Sequence, residues 1–125
     1  MVQYFTREFF EELAGRLNED PEWAKKAGNI TAKLVLTCAD RHQSYLLYIQ
    51  AGKVTASEVA AEVPADFKFE GTYDAWAILG RGEKDFQSLV IGGKLRFRGS
   101  MPKIMAMMGQ MNRITALAQQ IPNVY

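Results

Sequence analysis

From Gly92 to Ile121 the chain passes from an alternating pattern into a long apolar helical pattern, and the rest of the fold must accommodate that pair. Leu95, Phe97 and Gly99 fall on one side and Lys94, Arg96 and Arg98 on the other, as in a strand with one buried and one wet face. Ser100 can cap the helix that follows, and Pro102 is tolerated in its first turn, where a missing N–H costs nothing. From there to Gln120 the chain can run about 30 Å as one helix. Its first two turns point Met101, Ile104, Met105 and Met108 one way, whereas Ile114, Leu117 and Ile121 have drifted round. The apolar arc is therefore wider than the roughly 100° needed to sit on a sheet. Five of the six methionines lie here, and methionine suits a surface that adapts to different apolar shapes. Two readings stay open: a core helix with flexible packing, or a helix covering an apolar cavity that takes a lipid.

The totals narrow the class. With 125 residues the chain makes one domain, 1–125, with room for a real core. A net charge of +1 with 23% charged residues gives no field strong enough to recruit nucleic acid. The basic triplet Lys94, Arg96, Arg98 reads as a solvated strand face. A lone cysteine, Cys38, excludes an internal disulfide and suits a reducing compartment. The last twelve residues are the longest uncharged run, too short to span a bilayer. Arg7, Glu8, Glu11 and Glu12 near the start argue against a signal peptide. These features predict a soluble, intracellular protein.

Taken in order, Thr6 caps a first helix carrying Phe9, Phe10, Leu13, Ala14 and Leu17 at helical spacing. Asp20 caps a second, with Pro21 at its first position, Trp23 at its centre and Gly28 after it. Strands follow: Ala32 to Cys38, a polar turn at Asp40-Arg41-His42, and Tyr45 to Ile49. Then come a weak strand from Lys53 to Val59 and a clear one at Phe67 and Phe69. The spacing predicts an antiparallel meander with one face buried. Thr72 caps a short helix from Tyr73 to Leu79, and Asp85 another from Phe86 to Ile91. The order of elements predicts an α+β fold with helices gathered on one sheet face.

Catalytic chemistry is thinly represented. His42, the single histidine, sits in a turn without Cys, Asp or Glu at ligand spacing, and reads as solvated; no metal set is expected. Cys38 lies on the apolar parity of a strand with no activating neighbour, so it reads as core. No serine occupies a nucleophile elbow, and neither Gly80-Arg81-Gly82 nor Gly92-Gly93-Lys94 sits between a strand and a helix as phosphate loops require. By contrast, two short helices bearing Trp76, Ile78, Leu79 and Phe86, Leu89, Val90, Ile91 can leave a concave apolar pocket against the Met-rich helix.

The run Phe67-Lys68-Phe69-Glu70-Gly71-Thr72, the short Trp-containing helix, and Gly93-Lys94-Leu95-Arg96-Phe97-Arg98-Gly99-Ser100-Met101 resemble the sterol carrier protein type 2 domain. The resemblance covers roughly Ile30 to Gln120, the first two helices matching more loosely. It implies a five-stranded, mostly antiparallel sheet with helices on one face and a hydrophobic tunnel between. Such tunnels take sterols, fatty acids, acyl-CoA esters or phospholipids. By position it makes Trp76, Leu79, Phe86, Val90, Phe97, Ile104, Met105, Met108 and Met111 the lining candidates. No catalytic residue and no cofactor follow from it. The chain ends Pro122-Asn123-Val124-Tyr125, without the Ser-Lys-Leu ending of some peroxisomal members, which implies a cytoplasmic, stand-alone form. The leading expectation is non-catalytic binding and transfer of a hydrophobic lipid, with at most transient membrane contact. The alternative is an interaction or homodimerisation module using the Met-rich helix; an enzyme ranks third.

Overall fold

The computed structural model describes Met1–Tyr125. Five strands, β2 (Ala32–Cys38), β3 (Gln43–Gln50), β4 (Lys53–Val59), β5 (Phe67–Gly71) and β6 (Arg96–Gly99), form one sheet in the order β4-β3-β2-β5-β6. The hairpin from β2 to β3 pairs Leu36 with Tyr45 and Leu34 with Leu47, so all four point to the core side. Its turn ends on His42, exposed and in the left-handed region at φ 52°. Between β3 and β4, Ala51 and Gly52 take φ values of 48° and 85°, the double positive that a tight hairpin turn demands. A Cβ on Gly52 would lie 2.9 Å from the Ala27 carbonyl oxygen, so glycine is required there twice over.

The expected meander is corrected at β5, which pairs parallel with β2 (Leu34 with Phe67, Leu36 with Phe69). Alternation fixes which face of a strand is buried but not which neighbour it finds. The connection from β4 crosses the outer face of the sheet instead of turning back at the edge. It is pinned there by Lys33 N–H donating to Asp66 Oδ2 (2.8 Å), by Asp66 N–H donating to the Lys33 carbonyl (3.0 Å), and by Lys68 Nζ on the Ala61 carbonyl (2.8 Å). Val35, on the outer side of β2, is fully buried as a result. The other three pairings are antiparallel, and the fold is α+β with a mixed sheet.

Six helices complete the chain: α1 (Arg7–Glu19), α2 (Pro21–Ala27), α3 (Tyr73–Gly80), α4 (Phe86–Ile91), α5 (Met101–Ala106) and α6 (Met108–Gln120). Their caps are those the sequence signals. Thr6, Asp20, Thr72, Asp85 and Ser100 each accept a backbone N–H from the residue three positions on. Trp23 is buried, its Nε1–H donating to the Gly52 carbonyl (2.7 Å), which ties α2 to the β3–β4 turn. Arg113 of α6 clamps α2 from the other side, with bonds of 2.7 and 2.8 Å to the Asp20 carboxylate and a 3.3 Å approach to Glu22.

Two further expectations change. The helix from Ser100 to Gln120 is not continuous, because it breaks at Met107 (φ −101°, ψ 11°) into α5 and α6. The drift of its apolar arc is the cause: a straight rod cannot bury both ends on one surface. The break buries Ile104 and Met107 together with Met111, Ile114 and Leu117, and leaves Met101 and Met105 half-exposed. The strand expected from Gly93 begins at Arg96, with Gly92 and Gly93 forming a turn after α4. The side-chain alternation holds, with Lys94, Arg96 and Arg98 exposed and Leu95 buried, but Phe97 near the sheet edge is only half-buried. The termini meet in a small parallel pair, β1 (Val2–Gln3) with β7 (Asn123–Val124), which no alternation signals.

Candidate functional site

Between the inner face of the sheet and the helices lie two apolar voids. The inner one, about 40 Å³, has Leu36 and Leu47 as its floor, and Phe9, Phe10 and Leu13 of α1 as one wall. Trp76 and Leu79 of α3 and Met111 and Ile114 of α6 close it. Phe5 enters this wall in the left-handed region at φ 55°, a conformation costly for a bulky residue. Contacts on Phe10 (5.0 Å between centroids), Trp76 (5.2 Å) and Tyr45 (5.6 Å) hold it there. Tyr4 Oη–H donates to the Trp76 carbonyl (2.6 Å), so the tyrosine hydroxyl at this void is already engaged. Burial pushes its ionisation far above the ordinary tyrosine value.

The outer void is a groove of about 110 Å³ between α4, α5, the start of α6 and β6. Phe69 and Phe97 form its base, Val90, Ile91, Met101, Ile104, Met105 and Met108 its sides, and Gln87 is its one polar side chain. Its rim is the most exposed apolar surface in this half of the molecule: Ile91 is 77%, Met101 50% and Met105 49% exposed.

Phe86 lines both voids. It begins α4, a helix of six residues fixed at its start by Asp85, whose Oδ1 accepts from Ser88 N–H (2.7 Å). Hydrogen bonds from Ser88 hold that carboxyl below its usual range. At the far end the Leu89 carbonyl accepts from both Lys94 and Leu95 N–H (2.9 and 3.1 Å), which draws Leu89 and Leu95 into the core.

All nine residues singled out from the sequence border these voids. Trp76, Leu79 and Met111 stand at the inner one and Val90, Phe97, Ile104, Met105 and Met108 at the outer one, with Phe86 between. Sequence reasoning misses the α1 wall. The helical spacing of Phe9, Phe10 and Leu13 places them on one apolar face but does not separate a void wall from plain core. Ile91 is named on the pocket-forming helix but, like Met101, stands outside the nine lining candidates, although both are at the rim.

Polar chemistry is sparse around both voids. Cys38 is buried and its Sγ–H donates to Asp40 Oδ1 (3.3 Å); burial pushes the thiol up to about 11, so it is protonated at neutral pH. No three His, Cys, Asp or Glu side chains cluster so as to hold a metal ion. No helix is long and apolar enough to cross a membrane. Charge is unevenly placed: from Phe86 to Tyr125 there is no Asp or Glu, while Lys94, Arg96, Arg98, Lys103 and Arg113 lie in that stretch. Arg113 is held by Asp20, and Arg96 lies 3.6 Å from Glu70; the other three have no carboxylate partner.

Residues 10–112 match the SCP-2 sterol transfer family. The chain belongs to that family. Sterol carrier protein 2 in its crystal structure superposes with a TM-score of 0.82 at 20% identity, covering 96% of this chain and all of its own. A conserved hypothetical protein of Thermus thermophilus, possibly a sterol carrier protein, gives 0.80 at 20% identity, covering 98% and 92% of the two chains. The palmitated SCP2L2 of Aedes aegypti gives 0.58 at 8% identity, covering 96% and 97%. No curated protein matches the sequence. The sterol carrier fold is a lipid-binding one and generally non-catalytic, and membership supports lipid binding and transfer as the general activity.

Proposed function

We propose that the protein binds a single-chain lipid, a fatty acid or its acyl ester, in the outer groove and inner void, and carries it without chemical turnover. The observation that carries this reading is the apolar groove beside an exposed apolar rim, with Phe86 as the shared wall between it and a second void against the core. The site residues proposed are Trp76, Leu79, Phe86, Val90, Phe97, Ile104, Met105, Met108 and Met111. With only Gln87 to offer a polar contact, affinity rests on burying hydrocarbon. Fully burying about fifteen methylenes contributes about 12 kcal/mol. Subtracting about 4 kcal/mol, the low end of the cost of lost freedom, leaves about 8, which corresponds to micromolar binding. The voids are smaller than the roughly 300 Å³ at which ligand pockets begin, so occupancy requires the methionines and α4 to shift. The palmitated Aedes relative supports an acyl ligand. The buried, unpaired Cys38 supports a reducing, cytoplasmic setting.

Exposed Ile91, Met101 and Met105 also favour a second reading, in which the same rim buries against another copy of the chain. Titration with a fluorescent fatty acid, followed by competition with palmitate, separates the two. Saturable, displaceable binding by a monomer supports the lipid site. Absence of any uptake, together with a concentration-dependent dimer, supports the module.

A further inference from the structure

We propose that Phe86 is a partition between the two voids and so sets the length of acyl chain the protein holds. This rests on the lipid reading above. The Phe86 ring lines both spaces, is itself buried, and packs edge-to-face on Phe69 with centroids 4.8 Å apart. A chain entering past Met101 and Met105 runs along Val90 and Ile104 and meets that ring before it can reach Trp76. While the ring stays in place, carbons beyond the outer groove remain in water and add nothing to binding. Once the ring is turned aside or removed, the groove and the inner void become one channel.

The surroundings allow that motion. α4 is less than two turns long, Gly82 before it is at φ 74° and Gly93 after it at φ 77°, and a Cβ at Gly93 would meet nothing within 4 Å. Leu89, with its carbonyl bonded to Lys94 and Leu95, and the Asp85 cap hold the backbone of the helix in place, so the motion required is a turn of the Phe86 side chain toward the groove. Phe86 is thus a specificity residue that decides which chains fit, in addition to its share of the core.

The experiment is a series of saturated fatty acids from eight to eighteen carbons, titrated calorimetrically against wild type, Phe86→Leu and Phe86→Trp. Each methylene that enters the protein strengthens binding about fourfold. Wild type should show that slope up to a break, after which longer chains bind no better. Phe86→Leu should move the break to longer chains by two carbons or more, and Phe86→Trp to shorter ones. Phe86→Ala repeats the first result if its thermal unfolding stays cooperative; Phe86→Leu carries the test if it does not. A break that stays put in folded Phe86→Leu and Phe86→Trp, or a wild type with no break, overturns the role of Phe86. A wild type that binds no chain saturably overturns the lipid reading itself.

Discussion

Met105→Trp should block the outer groove while leaving the fold as stable as before, and Met111→Trp should do the opposite. Met105 is half-exposed at the rim of a 110 Å³ groove, so an indole there has both the groove and solvent to occupy. A substitution at such a site changes stability by less than about 0.5 kcal/mol. Met111 is 3% exposed in the wall of a void of only 40 Å³, where a larger side chain overpacks the core at a cost of about 1–3 kcal/mol. Unfolding entropy of about 2.1 cal/mol/K per residue gives about 0.26 kcal/mol/K for this chain length, so Met111→Trp should melt roughly 4–12 °C lower and Met105→Trp within about 2 °C of wild type. If the indole takes the room of about four methylenes, binding loses about 3 kcal/mol, more than a hundredfold. Differential scanning calorimetry and displacement of a fluorescent fatty acid measure the two quantities. Unchanged affinity in Met105→Trp, or a melting drop matching that of Met111→Trp, would refute the assignment of this groove as the ligand's entrance.

Three further outcomes follow from the geometry. Phe97→Ala should cost about 1.5–2.5 kcal/mol in the denaturant midpoint, since its ring is half-buried and a fully buried one costs about 3–5; Arg96→Gln, exposed beside Glu70, should cost less than about 0.5. The Arg113 guanidinium holds the Asp20 carboxyl below its ordinary value of 3.8, so the folded protein binds that proton less readily than the unfolded chain. This contribution is complete above that value and fades as pH falls through the lower folded-state value, and Asp20→Asn should flatten that acid limb in pH-dependent thermal melts. The acid-free stretch from Phe86 onward should make transfer to vesicles faster when they contain anionic lipid and slower again in added salt, with Lys94→Glu and Lys103→Glu weakening the effect.

Local features of the fold were legible because local physics decides them. Each helix cap needs one side-chain oxygen and one N–H three residues on, and Thr6, Asp20, Thr72, Asp85 and Ser100 all supply it. The inward parity of Leu34, Leu36, Phe67 and Phe69 was equally readable, since it follows from a period of two. The parallel register of β5 on β2 was not, because it depends on where a connection crosses the sheet and on bonds such as Lys33 to Asp66, between residues far apart in the chain. The break at Met107 was hidden for a related reason: no proline lies at it and Gly109, two residues on, is itself helical, so packing at both ends decides where the helix divides. At the candidate site, the methionine-rich face pointed to the groove. The part played by α1 did not show, because an aromatic face against a void and one against solid core have the same spacing.

Native mass spectrometry of the purified protein, followed by analysis of its organic extract, tests the central claim most directly. A protein that carries a hydrocarbon chain should show an adduct that leaves with solvent, yields a fatty acid or acyl ester in the extract, and returns one-to-one when palmitate is added back. A monomer that takes up no palmitate even at saturating concentration, with its fold intact by calorimetry, would contradict the account and make the methionines ordinary core.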